Sequence, residues 1–164
     1  MVELILSLMI WISTVTGYPV PEPPSIVFVE TPRDLFRIAN GCDLPDRSKS
    51  DKKWCERYDK KADEFGTILA LYDPEKKTII LQKGWTSDTI PGRSILVHEL
   101  VHHMQYMSGQ ISKFKCQGKI EKEAYDVQNK WLEPYGLDVH KALKIGPLFL
   151  FMATQCEENN GWFK

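Results

Sequence analysis

The sequence predicts an α+β domain, and three observations carry that expectation. Short β-rich runs at 26–30, 67–72 and 78–83 fall in the first half of the chain. Two long segments with helical spacing, 94–107 and 118–133, fall in the second. Strands and helices that do not strictly alternate indicate α+β. With 164 residues, 43% hydrophobic and 26% charged, the chain can bury one core and is not a disordered segment. Its 21 basic residues nearly balance 22 acidic ones. No basic stripe stands out, so no nucleic-acid partner is expected.

Residues 1–17 read as a signal peptide. The apolar stretch 4–15 is too short to span a bilayer comfortably, and Val15-Thr16-Gly17 offers small residues for cleavage before Tyr18. Glu3 stands where Lys or Arg is usual, which leaves a retained anchor open. No stable membrane insertion is expected unless that segment is kept. Residues 18–25 (YPVPEPPS) form a proline-rich extended leader. The domain proper is 26–164.

Within it, 26–30 is a short strand. Thr31-Pro32 then opens a helix with a cap and a proline at the first helical position; it stops at Asn40-Gly41. Residues 42–66 are polar and read as a solvated loop with a helix around 54–64. The runs 67–72 and 78–83 flank Asp73-Pro74-Glu75-Lys76-Lys77, a turn signal, and so form a hairpin. A loop over 84–92 leads into the helix at 94–107, which Ser108-Gly109 ends. In the helix at 118–133, Ile120, Ala124, Val127 and Trp131 form the buried stripe. Shorter helices are expected over 138–144 and 147–154, the second (PLFLFMAT) buried in the core.

Four cysteines permit three pairings. Export implies an oxidising compartment, with Cys42–Cys55 closing the polar loop and Cys116–Cys156 tying down the C-terminus. No C-x-x-C pair occurs, which argues against a cysteine metal site.

The chemistry sits at His98-Glu99-Leu100-Val101-His102. Residues four apart on a helix share a face, so His98 and His102 can offer two imidazoles to one metal ion. Glu99 lies beside them, able to reach a metal-activated water without binding the metal. That is the pattern of a zinc-dependent peptidase. At about 100° per residue, Leu96, Val97, Leu100, Val101, Met104 and Met107 form an apolar face, and the opposite polar face would open on a cleft. His103 lies off the ligand line and reads as a surface histidine or a neighbour of the ligands.

Zinc in a hydrolase usually takes three protein ligands. The extended motif with glycine and a third histidine is excluded by Gln105 and Ser108. Glu121, Glu123 and Asp126 on the following helix are the alternatives. Measured from the apolar stripe, Glu123 is displaced by about 60°, Glu121 by about 100° and Asp126 by about 120°. Glu123 is therefore expected as the third ligand.

HELVHHMQ followed by a helix bearing Glu123-Ala124-Tyr125 resembles the gluzincin branch of the zincin metallopeptidases, and most closely small, exported, single-domain bacterial zincin-like proteins. The resemblance covers about residues 95–132. It implies a small twisted sheet packed on the active-site helix, with a glutamate helix behind. It also implies His98 and His102 as zinc ligands, Glu99 as catalytic acid and base, and Glu123 completing the site. Such proteins often carry an Asp four residues past the ligand glutamate; here that position is Val127, and Asp126 is the expected substitute.

The favoured function is a zinc peptidase acting on a peptide or protein substrate, secreted or periplasmic. Tyr106, Tyr125, Tyr135 and His140 are candidate oxyanion donors, and the edge of the hairpin sheet could take an extended peptide. A non-catalytic zinc-binding adaptor and a disulfide-bonded structural protein are the alternatives.

Overall fold

The computed structural model describes residues 1–42, 48, 52–57 and 69–156. The fold is α+β. In chain order its elements are α1 (Val2–Thr16), β1 (Ser25–Val29), α2 (Pro32–Ala39), β2 (Ala70–Asp73), β3 (Thr78–Gln82), α3 (Ile90–Met107), α4 (Gln117–Leu132), α5 (Val139–Leu143) and α6 (Pro147–Ala153). The chain divides into two compact units: Met1–Pro24 with Ser87–Lys164, and Ser25–Thr86.

The second unit holds the sheet. Its order is β1-β3-β2, with β1 parallel and β2 antiparallel to β3. The hairpin β2–β3 forms as expected. Asp73 Oδ1 accepts from the backbone N–H of Glu75 and of Lys76, which closes the turn. Central β3 is buried from Thr78 to Leu81. Helix α2 opens with a capping box: Thr31 Oγ1 accepts from the Asp34 N–H, and Asp34 Oδ2 accepts from the Thr31 N–H. It buries Leu35 completely. Cys42 and Cys55 are bonded. Residues 52–57 are helical, and the rest of the helix expected over 54–64 lies outside the described residues, as do the first two positions of the run 67–72.

The first unit is helical. Helix α1 packs against α3 and α4. It buries Ile5, Leu8, Met9 and Ile12, an i, i+3, i+4, i+7 stripe. Helices α3 and α4 pack along each other. Among the described residues no helix is long and apolar enough to cross a membrane. Cys116–Cys156 joins the start of α4 to the segment after α6.

Helix α6 departs from expectation. Leu148, Phe149, Phe151 and Met152 are exposed, Leu148 by 71%. A seven-residue helix with apolar side chains on every side can bury only the side it turns toward a neighbour. That side carries Leu150, Ala153 and Thr154, which are half-buried, and it meets α4.

The disulfide draws the two segments so close that the Gln155 backbone carbonyl occupies the place a Cβ at position 118 would take. Gly118 is therefore required by space. Gly118→Ala should destabilise the protein by about 1–3 kcal/mol, read from the urea midpoint with both disulfides intact.

Candidate metal centre

Helix α3 starts at Ile90, four residues before the expected 94. Thr89 accepts from the Gly92 N–H through its hydroxyl and Pro91 lies in the first turn, so the capping signals sit upstream of the apolar pattern. Every side chain from Leu96 to Gln105 is buried. The expected division into an oily face and a face open to a cleft does not hold. The helix runs through the interior of its unit, and its polar side chains are satisfied by partners.

The four-residue spacing brings His98 Nε2 and His102 Nε2 within 3.1 Å of each other. The tautomer of each ring, when neutral, follows from its other nitrogen. His102 Nδ1 lies 2.9 Å from Gln105 Oε1. The Gln105 amide nitrogen donates to the Ile120 carbonyl and to Glu123 Oε2, both pure acceptors, so its oxygen must face the ring. His98 Nδ1 lies 3.1 Å from Gln128 Oε1. The Gln128 amide nitrogen donates to Ser94 Oγ, whose own hydrogen goes to the Pro91 carbonyl. Both Nδ1 atoms are therefore donors. In the neutral rings both Nε2 atoms turn bare lone pairs toward one point.

Glu121 supplies the third group. Its Oε2 lies 3.3 Å from each Nε2. The three donor atoms form a triangle with edges of 3.1, 3.3 and 3.3 Å. Donors around a tetrahedral ion with bonds of about 2.0–2.1 Å lie about 3.3 Å apart. The triangle is one face of such a tetrahedron, and among the described residues His98, His102 and Glu121 form the group able to hold a metal ion.

Electrostatics agrees. Burial opposes a charge on His102, but the hydrogen bond and charge of Glu121, with the charge of Glu99, hold its pKa up at about 9. Burial likewise opposes ionisation of Glu121, yet the two imidazoles keep it well below the usual carboxylate range. Three converging acceptors need a cation between them. Without metal a proton fills that need, and a metal ion would displace it.

The group able to hold a metal ion thus contains Glu121 rather than the expected Glu123. Glu123 Oε2 accepts from Tyr18 Oη at 2.7 Å and from Gln105 Nε2 at 2.8 Å, away from the two Nε2 atoms. The physical reason is that the buried arc of α4 is wider than its apolar stripe. Gln128 and Leu132 are also buried, and including them turns the centre of the arc so that Glu121 lies about 60° from it and Glu123 about 100°. Leu132 was visible in the sequence. Gln128 was not, because a buried amide carries no hydrophobic signal.

The other expected residues separate cleanly. Glu99 is buried beside the ligands. His103 is no ligand and is not on the surface: it is buried and its Nε2–H donates to the Glu22 carbonyl. Asp126 is exposed and paired with Lys122 at 2.6 Å, so the orientation of His98 falls to Gln128 instead. Of the four proposed oxyanion donors, Tyr125 packs against His98 with the rings tilted, centroids 4.5 Å apart. Tyr135 packs on Trp131, and His140 bonds the Ile145 carbonyl. Tyr106 is 37% exposed. All four cysteines are disulfide-bonded in the expected pairs.

Glu121→Ala and His98→Ala should each abolish stoichiometric metal binding, measured by titration with Zn2+. Asp126→Asn should leave the affinity unchanged. Gln128→Leu, which strands His98 Nδ1–H, should weaken it by about 10–100-fold.

No curated protein and no solved structure matches the chain. A family model matches residues 1–161, and the chain belongs to that family, described as a domain of unknown function (DUF6647).

Proposed function

We propose that this chain is a zinc-dependent peptidase, with His98, His102 and Glu121 as metal ligands and Glu99 as general base and acid. One observation carries the proposal: two imidazole nitrogens and one carboxylate oxygen converge with the edge lengths of a tetrahedral face. Two nitrogens and one oxygen are a donor set suited to Zn2+. Zn2+ held there would polarise a carbonyl and lower the pKa of water from about 15.7 toward 7.

Glu99 follows His98 directly, and its charge acts on both His102 and Tyr125. This supports Glu99 as the group that takes a proton from the attacking water and returns it to the leaving amine. Burial, with the charges of Glu121 and Glu99, pushes the Tyr125 phenol up, so it keeps its proton near neutral pH. A protonated phenol against a ligand ring is a suitable donor to the charge developing on the carbonyl oxygen. The two disulfides support an oxidising, secreted or periplasmic location.

A second reading is a zinc-binding domain without turnover. The burial of both ligand histidines, each 8% exposed, favours it, because catalytic sites keep one coordination position open to water or substrate.

Glu99→Gln separates the two. The variant should bind one Zn2+ per chain as the wild type does, while cleavage of a broad peptide library falls by at least about 100-fold. Wild-type zinc binding with no cleavage by the wild type itself would leave the non-catalytic domain.

A further inference from the structure

We propose that Glu123 is a positioning residue for the metal centre: through Gln105 it fixes the imidazole of His102 with Nε2 bare. The inference rests on the metal-centre reading above. Gln105 is fully buried and lies between the two groups. Its amide oxygen accepts from His102 Nδ1 at 2.9 Å, and its amide nitrogen donates to Glu123 Oε2 at 2.8 Å. An amide can present either end to a histidine. If Gln105 turned its NH2 toward the ring, His102 Nδ1 would have to accept, Nε2 would carry the hydrogen, and the lone pair facing His98 and Glu121 would be lost. Glu123 prevents the flip, because a carboxylate accepts and does not donate. The Ile120 carbonyl gives the same instruction at 3.1 Å, but as a neutral and longer contact.

Glu123 is itself held in place. Tyr18 Oη donates to the same Oε2 at 2.7 Å. Burial, then the hydrogen bond and charge of Glu123, push the Tyr18 phenol up and keep it a donor. The path Tyr18–Glu123–Gln105–His102 brings the influence of a negative charge to one ligand ring without placing that charge at the metal. His98 has a different arrangement, with neutral groups throughout: Gln128, Ser94 and the Pro91 carbonyl. The two ligand rings are therefore separable by experiment.

The test uses the full chain. Zn2+ affinity is measured by competition with a chelator for the wild type, Glu123→Ala, Glu123→Gln and Glu121→Ala. In parallel, the imidazole Nδ1–H signals of His98 and His102 are followed by 15N-correlated NMR in the zinc-loaded proteins. Glu123→Ala should bind Zn2+ about 10–100-fold more weakly. It should shift or lose the His102 Nδ1–H signal and leave that of His98 in place, a local change that a general loss of structure would not produce. Should the alanine variant fail to fold, Glu123→Gln decides. It keeps an acceptor of the same size and loses the charge, so its affinity should fall between those of wild type and alanine, with only the His102 signal shifted. Wild-type affinity and unshifted signals in the folded variant would overturn the proposal, while loss of zinc in Glu121→Ala would leave the centre intact. Retention of zinc in Glu121→Ala would instead overturn the centre, and this inference with it.

Discussion

The candidate centre depends on which nitrogen of each ring makes the outward hydrogen bond: with Nδ1 as the donor, both Nε2 atoms face Glu121. Two imidazole nitrogens and a carboxylate oxygen lie 3.1–3.3 Å apart in a buried place. Left without a cation, that arrangement is repulsive and poorly solvated. The chain maintains it from outside, by giving each ring an amide oxygen at Nδ1 and fixing each amide by its own further bond. Amides suit this task. They set the tautomer as a carboxylate would, yet add no charge.

This requirement explains why α3 is buried on all sides. A helix with one wet face would let water compete for Nδ1, and the tautomers would mix. Enclosing the face removes the competitor but obliges every polar atom there to find a partner in the protein. The chain meets that obligation with residues from three places: Gln105 on the same helix, Gln128 and Glu123 on α4, and Ser94 with Pro91 one turn upstream. The apolar residues Leu96, Val97, Leu100, Val101 and Met104 seal the remainder.

Much of the fold was legible because it is written in local chemistry. Thr31 with Pro32, the Asp73–Lys77 turn and Ser108-Gly109 are short-range instructions, and each element they bound is present. The two histidines of the metal centre were equally legible, since a four-residue spacing on a helix allows one outcome. The third member of the candidate group was not. Choosing between Glu121 and Glu123 requires the direction in which α4 faces α3, and an apolar stripe gives that direction only when the interface is apolar. Here Glu121, Tyr125 and Gln128 face the two histidines, a polar row that a hydrophobicity pattern reads as solvent. The exposed α6 failed in the opposite sense: its residues are apolar, but seven of them present more apolar surface than one neighbour can cover.

The stretch after α1 shows how far the centre extends beyond its ligands. Read from sequence, residues 18–25 are an extended spacer. In the structure Tyr18 reaches Glu123 on α4, and the Glu22 carbonyl accepts from His103 on α3. Ser13 Oγ donates to the Tyr18 carbonyl at 2.6 Å, which fixes where the segment leaves α1. Prolines 19, 21, 23 and 24 restrict the unfolded conformations of this segment, so less entropy is lost when it lies along the two helices. A flexible spacer would hold Tyr18 near Glu123 only part of the time. Composition reads the segment as extended, and its partners Glu123 and His103 place it against α4 and α3.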